Sequence, residues 1–399
     1  MGTSRKLRVL LIAPPMLPVP PPSYAGTERV IATLGAELHR RGHHVALVAA
    51  GDSEVPYELI PSVDASLWKT GYDGDVASYM QYTTAIAWDA APRFDIVHSH
   101  LENHTFLLAR YAPVPVVTTL HGRLDVAGMP ELLEAFRDVP LVAISDSQRR
   151  WHTAQNWVGT IHHGLPLESM PFAKQHGDYL AFVGRATAEK GLADAIELAT
   201  QVKMQLKIAA KVHDPHEKAY FRKVVQPAID EGIVEFLGEL GPAERDPLYA
   251  GARATVMLGA WPEPFGLVAI ESMATGTPVI ARRAGALTET IEHGETGFLV
   301  DDVSEAALAF ERVSELDRKR IRAHTLERFS PRRMTDQYEG VYRQLIEDYA
   351  KRDAIGVRVR AVGPGRPRRV APKATTHAED ATQPPRTSKR VAAATTRDA

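Results

Sequence analysis

Two glutamates stand eight residues apart in a segment that predicts a loop followed by a helix. Glu263 lies in the loop and Glu271 in the helix, because apolar residues recur at helical spacing from Leu267 to Met273. The free amides of the first turn of such a helix favour an anion such as a diphosphate. Glu271 suits a vicinal diol, since a carboxylate can accept hydrogen bonds from two hydroxyls. The segment therefore predicts a site for an anionic ligand that carries a diol.

The loop itself has the composition of a rigid ligand-binding turn. Pro262 and Pro264 stiffen it, and Phe265-Gly266 lets the backbone turn close to a ligand. The apolar run 254–258 before it predicts a buried strand, and residues 276–281 lead into the next strand. The alternative interpretation is a loop glutamate and a helix-surface glutamate that only face solvent.

Two cations follow another predicted strand. Residues 184–191 read GRATAEKG, which places Arg185 and Lys190 at the carboxyl end of that strand. An anionic ligand would lie at this edge of a parallel sheet. A solvated charged loop is the alternative.

Both segments resemble motifs of the retaining glycosyltransferases of family 4, which have the GT-B fold. Glu263 and Glu271 match the Glu-x7-Glu motif of that family, and residues 184–191 match its Gly-Arg-x-x-x-Glu-Lys-Gly motif. The resemblance covers roughly residues 7–350. It implies that the cations hold a donor diphosphate and stabilise the charge on the leaving group. It also implies that Glu263 touches the donor sugar and that Glu271 binds the ribose.

The first half of the chain adds two weaker matches. Residues 22–28 read PSYAGTE and resemble the family's Tyr-Gly-Gly-x-Glu loop, with Ala25 in place of the first glycine. A positive φ at position 25 would strain the alanine. His121 ends a predicted strand, and the matching histidine of the family lies beside the donor sugar and helps to align it. The resemblance implies catalytic roles for Glu263, His121, Lys190 and Arg185, and donor binding by Gly26, Arg185, Lys190, Phe265, Gly266, Leu267 and Glu271.

Strands and helices alternate along most of the chain. Apolar strand-length runs are predicted at 7–13, 45–49, 95–98, 115–120, 141–144, 158–162, 179–183, 206–210, 234–237, 254–258, 279–281 and 297–300. Helices are predicted at 27–41, 76–90, 188–200, 217–230, from 267 onward, and at 331–351. This order predicts an α/β protein of the GT-B type, with two doubly wound Rossmann-like domains facing across a cleft.

Turn-rich sequence after His163 marks the boundary between the halves. We predict an acceptor-side domain over residues 1–168 and a nucleotide-sugar-binding domain over 174–330. The resemblance implies that a helix over 331–352 crosses back to the first domain. Residues 355–399 are rich in Pro, Ala, Thr and Arg and predict a disordered tail.

Charge is distributed unevenly over the 399 residues. The tail has ten basic and three acidic residues, a net +7, which leaves −9 on the remainder of a chain whose net charge is −2. The sequence has no cysteine and no apolar run of membrane-spanning length, so we expect a cytoplasmic protein. We expect no nucleic-acid partner and at most weak peripheral contact of the basic tail with anionic lipid.

Two groups of residues could hold a metal, and neither is favoured. His98, His100 and His104 with Glu102 lack a further ligand set, and the family has His-x-His here without metal. Residues 73–75 form an Asp-x-Asp that precedes a helix and follows no apolar strand, which predicts a turn and a helix cap. We expect no metal or other cofactor.

The resemblance implies transfer of a hexosyl group from a nucleoside diphosphate sugar to an acceptor hydroxyl, with retention of anomeric configuration. The base and sugar of the donor stay open, as does the acceptor, which could be a saccharide, a lipid-linked molecule or a small molecule. One alternative is another GT-B enzyme, an epimerase or a phosphorylase. The other is a non-catalytic sugar-nucleotide-binding protein.

Overall fold

The structure, a computed structural model, describes residues 5–22, 25–72 and 74–354, with side chains described to residue 352. The predictions for Asp73 and for the tail 355–399 lie outside the described residues. Among the described residues, no helix is both long enough and apolar enough to cross a membrane.

The first half of the chain forms a seven-stranded parallel sheet in the order β3-β2-β1-β4-β5-β6-β7. The near-continuous apolar sequence of β1 fits its central place, where Val9 pairs with Val45 on one side and Ile96 on the other. The strands are β1 (Arg8–Ile12), β2 (His44–Ala50), β3 (Glu58–Val63), β4 (Ile96–Ser99), β5 (Val116–Thr119), β6 (Leu141–Ala143) and β7 (Trp157–Thr160).

The second half forms a six-stranded parallel sheet in the order β10-β9-β8-β11-β12-β13. Its central strand β8 pairs with β9 over seven residues and with β11 on the other side. The strands are β8 (Tyr179–Arg185), β9 (Gln205–Lys211), β10 (Val234–Gly238), β11 (Ala254–Met257), β12 (Val279–Arg282) and β13 (Gly297–Val300).

Helices connect most of the successive strands, whereas residues 51–57 between β2 and β3 contain no helix. In the first half they are α1 (Gly26–Arg40), α2 (Val76–Ala90), α3 (Phe106–Ala109), α4 (Met129–Ala135) and α5 (Asp146–Arg149). In the second half they are α6 (Leu192–Gln201), α7 (Pro215–Tyr220), α8 (Gln226–Asp230), α9 (Pro242–Ala250), α10 (Leu267–Ala274), α11 (Leu287–Thr290), α12 (Val303–Arg312) and α13 (Arg318–Arg328). The chain then forms the long helix α14 (Pro331–Ala354).

The twelve predicted strands are all present, which confirms the α/β class. The sequence analysis missed β3, an edge strand of mostly half-buried residues that contains Pro61. It also missed α9, which contains Pro247, and the strongly polar α13. The prediction of one helix over 188–200 was wrong, because Gly191 adopts a left-handed φ of 72° and separates a short turn from α6.

Buried hydrogen bonds attach α14 to the first sheet. The hydroxyl of Tyr342 lies 2.7 Å from Nδ1 of His98, whose Nε2 lies 2.7 Å from Oγ1 of Thr119. The same threonine hydroxyl lies 3.0 Å from the hydroxyl of Tyr338. All four side chains are fully buried, so each polar atom depends on its partner within the network.

Tyr342→Phe should lower the free energy of unfolding by about 1–3 kcal/mol, because it leaves a buried ring nitrogen of His98 without its partner. Urea denaturation of wild type and variant measures the difference. Tyr349→Phe is a matched control on the same helix, since that hydroxyl makes an exposed 3.3 Å bond to the Ala112 carbonyl. We expect the control to stay within about 0.5 kcal/mol of wild type; equal losses in both variants would contradict the role of the buried network.

Candidate active site

A cavity of about 400 Å³ opens between the carboxyl ends of the two sheets. Both halves of the chain line it, with His121 after β5 on one side and Arg185 at the end of β8 on the other. The structure places all nine residues that the sequence analysis assigned to a site in the wall of this cavity: Gly26, His121, Arg185, Lys190, Glu263, Phe265, Gly266, Leu267 and Glu271. Their individual roles stay predictions.

The first turn of α10 faces the cavity without a side-chain cap. Gly266 precedes it with a left-handed φ of 88°, and a Cβ there would lie 2.7 Å from Cδ2 of Leu287. The backbone angle therefore requires glycine at this turn. Leu267 and Val268 line the cavity, and uncapped amides at a helix start attract an anion.

Lys190 and Glu263 form an ion pair that joins the two sequence motifs. Nζ of Lys190 lies 2.5 Å from Oε1 of Glu263, and each side chain is only 15 % exposed. The same ammonium lies 4.1 Å from the centre of the Trp261 ring. A charge-assisted hydrogen bond and a cation–π contact thus hold the lysine head in the cavity.

Two close backbone contacts fix this pair in place. At Gly191, directly after the lysine, an added Cβ would lie 2.2 Å from the backbone N of Gly259. Gly285 has a φ of 58°, and its Cβ would lie 2.4 Å from the backbone N of Glu263. The Glu263 carbonyl also accepts a hydrogen bond of 2.8 Å from the Ala286 amide. Glycine at both positions lets the two motif loops pack against their neighbours.

Glu271 is 2 % exposed and its two carboxylate oxygens have different partners. One forms an ion pair with Arg29 of α1, from the first half of the chain. The other accepts a 3.0 Å hydrogen bond from the hydroxyl of Tyr249 and lies 3.7 Å from Nε of Arg245. Each oxygen still has a lone pair for a further donor, because a carboxylate has about four acceptor positions.

Four cationic side chains of the cavity wall are paired with carboxylates in this structure. Arg185 is the most exposed of them, with a 2.5 Å bond from Nη2 to Oε1 of Glu189. The pairs are Arg29–Glu271, Arg123–Asp125, Arg185–Glu189 and Lys190–Glu263. An anionic ligand would therefore either share these cations with their carboxylates or replace the carboxylates as their partners.

His121 is held by both its ring and its backbone. Its Nε2 lies 2.9 Å from Nδ1 of His100, and its ring stacks on that of His163 at 5.2 Å. The backbone amides of His121 and Gly122 both donate to Oε1 of Glu102, at 2.9 and 3.0 Å. Burial lowers the pKa of His121 to about 3, so its ring is neutral near pH 7.

The histidines considered as a metal site have other partners. Burial lowers the pKa of His98 to about 3 and the pKa of His100 well below its usual value. Burial raises the pKa of Glu102 to about 7, although it accepts two amide hydrogen bonds. His104 is partly buried, and within the described part of the chain no three His, Cys, Asp or Glu side chains are grouped so that they could hold a metal ion. The expectation of no metal cofactor stays a prediction.

The structure removes the concern about Ala25. Its φ is −166°, an extended conformation that any residue adopts, so the alanine is not strained. Gly26 has a different constraint, because a Cβ at this position would lie 3.0 Å from Cδ1 of Leu267. The start of α1 thus lies close to the start of α10 across the cleft.

Two residues outside the cavity wall also connect the halves. Ser145 caps α5 by accepting a 3.0 Å bond from the Gln148 amide, and its hydroxyl donates to the Pro264 carbonyl at 2.8 Å. Glu289 accepts hydrogen bonds from the amides of Asp146 and Ser147 at 2.8 and 2.6 Å. It therefore stabilises the first turn of α5 from the other half of the chain.

Sequence reasoning missed several residues of the cavity wall. Arg29 follows directly on the Gly26-Thr27-Glu28 match, and its position in the first turn of α1 was the one available signal. Trp261 precedes the loop prolines, and Arg123 lies 5.1 Å from the centre of its ring. His163 also lines the cavity, at the point where the sequence indicates only the boundary between the halves.

Two family models match the chain in succession. The model "Glycosyltransferase Family 4" matches residues 24–173, and the model "Glycosyl transferases group 1" matches residues 171–328. Together the two matches cover both sides of the cavity. The chain belongs to glycosyltransferase family 4. It is therefore a transferase, and the family resemblance of its motifs is confirmed.

Curated relatives of this glycosyltransferase act in different reactions. A phosphatidyl-myo-inositol mannosyltransferase of Mycobacterium leprae is 25% identical over 76% of this chain and 86% of its own. An N-acetyl-alpha-D-glucosaminyl L-malate synthase of Bacillus anthracis is 26% identical over 82% of this chain and 96% of its own. The similarity extends over nearly the full length of both relatives.

Solved structures resemble this glycosyltransferase in fold. AviGT4, a glycosyltransferase involved in avilamycin A biosynthesis, has a TM-score of 0.66 at 21% identity, over 86% of this chain and 98% of its own. Anabaena HepE in complex with UDP and glucose has a TM-score of 0.65 at 17% identity, over 84% of this chain and 98% of its own. The predicted GT-B architecture of two Rossmann-like domains is confirmed.

The buried histidines of the glycosyltransferase predict a loss of stability in mild acid. Burial lowers the pKa furthest in four of them: His98, His100, His121 and His163. Each such histidine contributes stability above its unfolded pKa of about 6.5 and loses it as the pH falls towards the folded pKa. Glu102 has the opposite effect, because its pKa is raised in the folded state. Its contribution offsets the stability that is lost through about one histidine. We expect the free energy of unfolding to fall by a few kcal/mol between pH 7.5 and 5.5.

Urea denaturation at a series of pH values measures this dependence. Glu102→Gln keeps an oxygen for the His121 and Gly122 amides but cannot titrate, so its stability should fall more steeply over the same range. Equal stability of the wild type at pH 7.5 and 5.5 would show that these histidines are not buried in neutral form.

Proposed function

We propose that the enzyme transfers a hexosyl group from a nucleoside diphosphate sugar to an acceptor hydroxyl, with retention of anomeric configuration and without a metal ion. The observation that carries this proposal is the Lys190–Glu263 pair, 2.5 Å apart beside the uncapped start of α10. A cation and free amides suit a diphosphate, and a carboxylate next to them suits sugar hydroxyls. A donor that carries both groups would satisfy the whole site.

The position of Glu271 supports a nucleoside as one part of the donor. Its carboxylate lies eight residues beyond Glu263 and retains lone pairs besides those used by Arg29 and Tyr249. A ribose diol could donate to these positions. The structural neighbour HepE has been solved with UDP-glucose, which is consistent with a nucleoside diphosphate sugar here.

Front-face transfer accounts for the chemistry with the residues in the cavity. The bond from the anomeric carbon to the diphosphate oxygen breaks and leaves its electron pair on the diphosphate. The acceptor oxygen bonds to the same face of that carbon, and its proton passes to the departing diphosphate oxygen. Lys190, Arg185 and the α10 amides would stabilise the growing negative charge. Glu263 is paired with Lys190, so we assign it to sugar binding and not to a covalent intermediate.

A panel of UDP-, GDP-, ADP- and dTDP-sugars tests the proposal. One class of donor should raise the melting temperature, because a ligand at about 100 times its Kd adds about 2.7 kcal/mol of stability. Incubation of that donor with mixed saccharide, lipid-linked and small-molecule acceptors should then give a glycosylated product. Release of an epimerised sugar without acceptor would favour an epimerase, and binding without any turnover would favour a binding protein.

Glu271 and Lys190 should affect different kinetic constants. The ribose does not change during reaction, so Glu271→Gln should raise the donor KM about 10-fold and leave kcat nearly unchanged. The diphosphate gains charge as the sugar bond breaks, so Lys190→Met should lower kcat on the order of 100-fold and change KM less. Steady-state kinetics with varied donor at saturating acceptor measure both.

Lys207→Met is the matched control for the lysine variant. Lys207 lies on β9 outside the cavity wall, also pairs with a glutamate, Glu235 at 3.1 Å, and also lies over an aromatic ring, Tyr179 at 4.5 Å. Its loss should leave both constants near wild type. A Glu271→Gln variant with reduced kcat and unchanged KM would show that the donor is placed wrongly.

Chelation should leave the rate of transfer unchanged. Lys190, Arg185 and the helix amides already supply positive charge where the diphosphate would lie, so a divalent cation would have no separate role there. Initial rates before and after EDTA treatment measure this. Loss of activity on chelation, restored by Mg²⁺ or Mn²⁺, would contradict the metal-independent part of the proposal.

A further inference from the structure

His100 lies behind the cavity wall and touches it through one atom pair. The residue is 1 % exposed and does not line the cavity, whereas His121 does. Nδ1 of His100 lies 2.9 Å from Nε2 of His121, which is a hydrogen-bond distance between two ring nitrogens. One of these two nitrogens must carry the hydrogen.

Both rings are neutral, so two arrangements are open. Burial lowers the pKa of His121 to about 3 and the pKa of His100 well below its usual value. In the first arrangement, Nδ1–H of His100 donates, and His121 carries its own hydrogen on Nδ1. In the second, Nε2–H of His121 donates, and His100 carries its hydrogen on Nε2.

The other nitrogen of His100 separates the two arrangements. Nε2 of His100 is buried and has no hydrogen-bond partner among the described residues. The second arrangement would leave an N–H there without an acceptor, whereas the first leaves only a lone pair without a donor. In protein backbones a buried N–H without an acceptor is rarer than a buried acceptor without a donor. Applied to the His100 ring, this preference favours the first arrangement.

We propose that His100 is a positioning residue that fixes His121 as the tautomer protonated on Nδ1. Within the described residues no hydrogen bond engages Nδ1 of His121, so this N–H is free for a ligand at the cavity wall. The consequence of this proposal rests on the proposed function: His121 donates a hydrogen bond to an oxygen of the donor sugar. The tautomer would select donors that present an acceptor at this position.

Two substitutions of His100 separate its hydrogen bond from its bulk. The amide of an asparagine can donate from nearly the position of Nδ1, so His100→Asn should keep kcat within about threefold of wild type. His100→Leu fills the site without a donor and should lower kcat by about tenfold, the effect of losing one neutral hydrogen bond, with little change in donor KM. Melting temperatures identify any variant that does not fold.

Nitrogen NMR of enzyme labelled with ¹⁵N-histidine reads the tautomer directly, with the His121 signals assigned through His121→Asn. We expect Nδ1 protonated and Nε2 bare in wild type and His100→Asn, and a mixture of tautomers in His100→Leu. Protonation on Nε2 in the wild type, or a His100→Leu variant with full kcat and the wild-type tautomer, would overturn the proposal. The spectrum decides the tautomer whether or not transfer occurs, whereas absence of transfer by the wild type contradicts only the proposed function.

Discussion

The ion pair between Lys190 and Glu263 is the interaction on which the geometry of the cleft depends. Each partner is only 15 % exposed, so either charge alone would be poorly solvated. Gly191 and Gly285 let the two loops approach closely enough for the pair to form. In our account a diphosphate would replace the carboxylate beside Lys190, and sugar hydroxyls would replace the ammonium beside Glu263. The site would then exchange one satisfied arrangement of charges for another.

Ion pairs and hydrogen bonds also join the two halves of the chain across the cleft. Arg29 of α1 pairs with Glu271 of α10, and Glu289 supports the first turn of α5. The Ser145 hydroxyl adds a hydrogen bond to the Pro264 carbonyl. A ribose diol that uses the remaining lone pairs of Glu271 would share this carboxylate with Arg29. Donor binding and the relative position of the halves are thus expected to be coupled through a few polar contacts.

The fold and the second-half site were predictable because their signals are local. Continuous apolar runs indicate the buried parallel strands. Glu263 and Glu271 lie within one strand–loop–helix unit, so their spacing can be read directly from the sequence. Edge strand β3 and the polar helix α13 lack such patterns. The pairing of Arg29 with Glu271 joins residues 242 positions apart, and no local pattern encodes it. The contact between His100 and His121 likewise depends on the alignment of two neighbouring strands.

The central claim is that a nucleoside diphosphate binds the charged groups of the cleft that pair with each other in this structure. A crystal structure of the enzyme with the diphosphate form of whichever nucleotide stabilises it tests this most directly. The account predicts phosphate oxygens within hydrogen-bond distance of Lys190 Nζ and of the first amides of α10, with the ribose hydroxyls on Glu271. A nucleotide bound outside the cavity, or inside it with the Lys190–Glu263 pair intact and the phosphates remote from α10, would contradict the account.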